Sequence, residues 1–113
     1  MIEFNPEMRW KAMEIFVHKG RICVVVNMDN SYHNGYIQVL PKNQGKDYER
    51  FVKKIKTDEL TYSGDLHGLF NGIWFFGFDS AHSWNDMHPE TKSFESVKER
   101  TIKLCEEMVR KKI

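Results

Sequence analysis

Five stretches of this chain carry strand-like hydrophobic patterning, and two carry the spacing of an amphipathic helix. MEIFV (13–17) and RICVVVNM (21–28), rich in β-branched and aromatic residues, flank Lys19-Gly20, where glycine supplies the positive φ of a tight hairpin turn. Ile22 to Val26 is apolar at successive positions, which predicts an internal strand covered on both faces. A polar turn region of Asn27, Asp29, Asn30, Ser31 and Asn34-Gly35 follows. Tyr36, Ile37, Val39 and Leu40 then predict a third strand, stopped by Pro41. Leu60 to Tyr62 predicts a short strand ended by Ser63-Gly64-Asp65. The densest run, Ile73 to Phe78, is broken only by Gly77. It predicts a central strand, with Gly77 leaving room for another backbone or a ligand.

The period changes between Gly45 and Lys56. Tyr48, Phe51, Val52 and Ile55 fall three and four apart, which predicts a helix over about 46–56 laid on the sheet. A second apolar stripe, Phe94, Val97, Thr101, Leu104, Cys105 and Met108, predicts a helix over about 93–111. Ser93 is its expected N-cap, and Lys103, Arg110, Lys111 and Lys112 gather towards the end where the helix dipole favours cations. Asn5-Pro6-Glu7 predicts a short helix from about Pro6 to Ala12. The loop from Asp79 to Lys92 shows no regular period. Strands, helix, strands, helix, in that order, predict a single α+β domain: a mostly antiparallel sheet of about five strands with two main helices packed on it.

At 113 residues, 41% hydrophobic and 29% charged, the chain has the composition of one globular domain. No apolar run approaches the roughly 20 residues of a spanning helix, so no membrane partner is expected. MIEFNPEMRW lacks the basic-then-apolar order of a signal peptide, which predicts a cytoplasmic protein. Seventeen basic against sixteen acidic side chains give a net charge of +1, without a global field for nucleic acid. Two basic bunches, Lys53, Lys54 and Lys56 and then Arg110, Lys111 and Lys112, read as solvated helix surface. Cys23 and Cys105 read as reduced core thiols, in the absence of a CxxC pair or an export signal.

The apolar run at 73–78 empties into Asp79, His82, Trp84, Asp86 and His88, a cluster of imidazoles and carboxylates at the end of a rigid strand. Asp79, His82, Asp86 and His88 have donor types that suit a divalent ion such as zinc or manganese, but their spacing matches no named metal signature. The competing reading is that Asp79 caps the loop and His82 fixes the turn by hydrogen bonds. Ser63 and Ser80 lie near histidines without a nucleophile elbow. Tyr62, Trp74, Phe76 and Trp84, beside His67 and the acids, offer the flat walls and few polar anchors of a small-molecule pocket. Core packing is the simpler account of Trp74 and Phe76, whereas Trp84 stands in a polar loop.

LTYSG (60–64), WFFGFDSAH (74–82), the Asp86 that follows and the SVKE helix start (96–99) together resemble a family of small bacteriophage and prophage proteins. The Asn34-Gly35-Tyr36 segment is also similar. Ser80 stands where that family commonly has cysteine, which removes a thiol nucleophile or thiolate ligand here. Thr57-Asp58-Glu59 stands where the family commonly has a histidine with glycines, which removes a candidate partner for His82. The resemblance implies a phage accessory protein, of counter-defence type, in the host cytoplasm. The expected function is non-enzymatic binding, without a cofactor, of a small nucleotide-like signal or a host defence protein. The residues expected to carry it are Tyr62, His67, Asp79, His82, Trp84, Asp86 and His88. The alternative is a metal-dependent hydrolase or phosphodiesterase built on Asp79, His82, Asp86 and His88. A site shared between two copies of the chain is compatible with either.

Overall fold

A computed structural model describes residues 2–3 and 10–113. It is an α+β fold: an antiparallel sheet in the order β1-β2-β3-β4-β6-β5, with helices gathered to one side. The five longer strands are β2 (Trp10–His18), β3 (Arg21–Met28), β4 (Tyr32–Gln38), β5 (Tyr62–Leu66) and β6 (Phe70–Asp79), and β1 is the two-residue Ile2–Glu3 at the edge. A short helix α1 (Ser83–Met87) and the long helix α2 (Phe94–Arg110) follow the last strand.

The hairpin at Lys19-Gly20 forms as the sequence demands, with both residues at positive φ (52° and 77°). That turn geometry matches the right-handed twist of the strands it joins. The next reversal is made by Asp29 and Asn30, at φ 52° and 58°, with the Asn30 amide donating to Asn27 Oδ1 at 2.8 Å. Asn34-Gly35 is therefore not part of a turn, because Asp and Asn tolerate the left-handed region and have already reversed the chain. Both residues sit inside β4, opposite Asp79 and Phe78 of β6.

Alternation along the strands divides the core in two. Cys23, Val25, Ile37, Phe76 and Phe78 face α2, which supplies Val97, Leu104, Cys105 and Met108. Val24, Val26 and Phe75 point the other way, joined by Trp10, Ala12 and Leu66 and by partly buried Tyr36, Tyr62 and Phe70. Burying Phe75, Phe76 and Phe78 contributes about 1.5–3 kcal/mol each relative to exposure, and β6 is an internal strand, paired with β4 on one side and the edge strand β5 on the other, although not at the centre of the sheet. Cys23 and Cys105 are buried free thiols. Ser93 caps α2 as expected, its hydroxyl accepting from the Ser96 amide at 3.2 Å.

Two glycines set the spacing of these layers. A Cβ at Gly35 would lie 2.1 Å from Thr101 Oγ1 on α2 and 2.7 Å from the Phe78 ring. A Cβ at Gly77 would lie 2.3 Å from the Tyr36 ring on the opposite face. The close approach expected at Gly77 is therefore made by a tyrosine of the neighbouring strand.

Four further elements differ from the sequence expectation. Trp10 to Ala12 belong to β2, and the rest of the helix expected there, 6–9, lies outside the described residues. The stretch 46–56 is no α-helix: it makes one 3-10 turn, Tyr48–Arg50, then hydrogen-bonded turns to Ile55. Of the predicted stripe, Phe51 and Ile55 are buried, Tyr48 is partly buried and Val52 is exposed, and the backbone groups are claimed from outside the segment. Tyr48 N donates to Ser63 Oγ at 3.0 Å, Trp74 Nε1 donates to the Lys46 carbonyl at 2.9 Å, and the Lys56 and Thr57 amides donate to Glu107. Ser63-Gly64-Asp65 does not end β5, because an irregularity in register between Gly64 and Leu66 accommodates it. The loop after Asp79 folds into α1 and a 3-10 turn, Pro89–Lys92.

Glu107 is the buried anchor of the 46–57 segment. Burial alone would raise its carboxyl, but hydrogen bonds from Lys111, Thr57 and Lys56 outweigh it and hold the group at about 2. A carboxylate depressed in the folded state stabilises above its ordinary range and loses that contribution as pH falls through it towards the folded value. Glu107→Gln is therefore expected to lower stability at neutral pH. Its deficit relative to the parent should shrink between about pH 4 and pH 2, as read by urea unfolding across that range. Gly35→Ala, which forces the helix and the Phe78 ring away from β4, should cost about 1–3 kcal/mol in the same assay at neutral pH.

Candidate functional site

The acidic and imidazole cluster sits where β6 leaves the sheet. Asp79 Oδ1 accepts from the Ala81 amide at 3.0 Å and lies 3.2 Å from His82 Nε2. Ser80 is fully buried and its hydroxyl donates to the His33 carbonyl at 2.5 Å, so this side chain joins the bend to β4. The bend itself turns on Asn85. Its Oδ1 accepts from the His82 amide at 3.2 Å and its Nδ2 donates to Thr91 Oγ1 at 2.8 Å, while Thr91 donates onward to the His88 carbonyl at 2.6 Å.

The remaining members are engaged by near neighbours in the bend. Asp86 pairs with Lys92, His88 lies 3.7 Å from Glu90, and the His88 ring packs on Trp84 with centroids 4.4 Å apart. Asp79, His82, Asp86 and His88 thus form three separate local pairs. Among the described residues, no three His, Cys, Asp or Glu side chains gather as a metal-binding group. Behind the bend, Arg100 reaches Asp58 at 3.3 Å, the Thr91 carbonyl at 2.6 Å and the face of Phe78. Burial pushes the Asp58 carboxyl up against the pull of Arg100.

Tyr62 and His67 lie elsewhere. They line a pocket of about 120 Å³ with Trp10, Met28, Tyr36, Asp65 and Leu66, on the sheet face opposite α2. The Tyr36 and Tyr62 rings meet edge to face at 5.3 Å, and the Tyr62 hydroxyl donates to the Asp65 carbonyl. The Tyr36 hydroxyl accepts from Asn34 Nδ2 at 3.2 Å. Burial is the main reason that Tyr36 is pushed up to about 12, and the same cause raises Tyr62, so both remain phenols at neutral pH. The charge of Asp79 adds to the rise at Tyr36, which links the two groups of residues.

The structure thus divides the seven residues singled out in the sequence. Five of them, Asp79, His82, Trp84, Asp86 and His88, cluster around the bend, and two line the pocket. Trp10, Met28, Tyr36, Asp65 and Leu66 escaped sequence reasoning. The available signal was Gly77, whose missing side chain marks where a ring from β4 must lie. Ser63 is likewise structural, its hydroxyl held by the Tyr48 amide.

Comparison with family models, curated proteins and solved structures finds no match for the chain. The role of the bend is open to direct measurement. Asn85 is buried with two hydrogen bonds, so Asn85→Ala should cost about 1–3 kcal/mol. His82→Ala, at an exposed pair, should cost less than about 1 kcal/mol. Urea denaturation of the two variants checks that order.

Proposed function

We propose that the chain is a non-enzymatic binding protein whose tyrosine-walled pocket receives one flat ring of a small nucleotide-like ligand. The observation that carries this reading is the convergence of Trp10, Tyr36 and Tyr62 on a concavity with Asp65 and His67 among its lining residues. Apolar walls with a few polar anchors are the usual composition of a small-molecule site. Size narrows the guest. A closed apolar cavity of about 150 Å³ holds a benzene ring, so a pocket of about 120 Å³ has room for no more than one six-membered ring and leaves sugar and phosphate outside. The exposed His67 is placed to meet those outer groups. Such a ligand suits the counter-defence role in a phage-infected cell that the sequence resemblance implies.

A second reading, docking on a host protein, draws support from α1, where Trp84 and Met87 are 57% and 78% exposed. The hydrolase reading would require the Asp79–His82, Asp86–Lys92 and His88–Glu90 pairs to open around an ion.

Calorimetry against pyrimidine and purine nucleosides and cyclic dinucleotides tests the pocket. Stacking on an aromatic side chain contributes about 1–3 kcal/mol per base, so Tyr62→Ala should weaken binding by roughly fivefold to a hundredfold. His67→Ala should weaken it while leaving the urea midpoint in place. No heat from any ligand in the set, or equal affinity in the parent and Tyr62→Ala, would refute the pocket and leave the α1 surface as the basis of function.

A further inference from the structure

Lys54 from the first basic bunch and Lys111 and Lys112 from the second, far apart in the chain, meet in space, while Lys53, Lys56 and Arg110 lie outside the meeting place. Lys42, Lys46, Arg50 and Lys54 from the segment after β4 face Lys111 and Lys112 at the end of α2 across a cleft of about 290 Å³. Asn43, Phe51 and Ile113 complete its walls, and it shares no residue with the tyrosine pocket. Among the described residues, the only side-chain carboxylate paired with any of the six cations is Glu107, on Lys111, and that carboxylate also accepts from the Lys56 and Thr57 amides. Lys42, Lys46, Arg50, Lys54 and Lys112 have no ion-pair partner among the described residues.

The frame that presents these charges is anchored. Lys112 adopts φ 56°, which turns the chain at the end of α2 so that Ile113 inserts, with its amide on the Met108 carbonyl at 2.9 Å. The Ile113 carbonyl accepts from the Leu40 amide and from the buried Asn43 Nδ2, both at 2.8 Å. Lys111 donates to the Lys54 carbonyl, and Trp74 holds the Lys46 carbonyl. These bonds tie both walls at main-chain positions and leave most of the cationic side chains unengaged.

We propose that this cleft binds a compact oligophosphate, either free or as the phosphate chain of a nucleotide. Like charges confined on a fixed frame repel one another, and a multivalent anion relieves that repulsion at several cations at once. The concavity favours a short, densely charged anion over a flat lipid surface or an extended duplex, which would meet only the rim.

The test is calorimetry of the full chain with sodium tripolyphosphate, ATP and adenosine at matched ionic strength. Tripolyphosphate should bind, adenosine should give nothing at this site, and Lys46→Glu with Arg50→Glu should weaken tripolyphosphate binding at least tenfold. Both side chains are outside the hydrogen-bonded frame, so circular dichroism and the melting temperature should match the parent. Lys103→Glu, on the exposed surface of α2, should leave affinity unchanged. Equal affinities for tripolyphosphate and ATP assign the site to the phosphates alone, and tighter ATP binding lost in the double variant assigns it to a nucleotide. Absence of tripolyphosphate binding near 0.15 M salt, or binding that survives the double charge reversal, overturns the proposal. So does retention on a DNA duplex without any response to tripolyphosphate.

Discussion

The architecture depends on two positions without a side-chain carbon in adjoining strands. Gly35 of β4 lies opposite Phe78 of β6, and Gly77 of β6 lies opposite Tyr36 of β4, so each strand yields space to an aromatic ring of the other. The two vacancies open on opposite faces of the sheet. On one, α2 descends until Thr101 occupies the position a side chain at 35 would need. On the other, Tyr36 lies down across Gly77 and becomes a wall of the pocket. A packed core transmits a single added methyl group to everything above it. The same register therefore governs both how tightly the helix seats and whether the tyrosine pocket exists.

The parts of the fold legible in the sequence are those whose physics is local. Lys19-Gly20 turns the chain because of what those two residues allow, and Ile73 to Phe78 lies in an internal strand because so dense an apolar run needs cover on both faces. The segment 46–56 shows the limit. Its apolar spacing correctly marked Phe51 and Ile55 as buried, but spacing does not reveal where backbone donors go. A helix must satisfy them internally, and here Ser63 and Glu107 take them from outside. A short segment gains little from propagation, so a few well-placed acceptors suffice to keep it in turns.

The candidate site fails and succeeds for related reasons. Asp79, His82, Asp86 and His88 are close in sequence, and closeness in a bend is what lets such residues find local partners, Asp79 in His82, Asp86 in Lys92 and His88 in Glu90. The feature that holds the bend is Asn85, an uncharged residue whose importance lies entirely in its burial and its two bonds. The pocket, by contrast, draws Trp10, Met28, Tyr36 and the Tyr62–His67 hairpin from four strands and the turn after one of them. No linear pattern encodes that convergence. Only the glycine opposite Tyr36 leaves a trace of it, and a strand glycine has several meanings until its neighbour is known.

The placement of the basic cleft follows from the same economy of the chain. The end of a helix carries partial negative charge, which favours cations within its last turn, so Lys111 and Lys112 have a structural reason to be there. That reason does not extend to Lys42, Lys46, Arg50 and Lys54, which reach the cleft from a different segment and have no carboxylate partner among the described residues. Two unit charges about 4 Å apart in water repel by about 1 kcal/mol, and by more where solvent is partly excluded. A fold that merely needed the dipole complemented would hold two cations there. One that gathers six around a concavity, and turns its nearest buried acid inward to anchor the frame, presents the chemistry of a site for a multivalent anion.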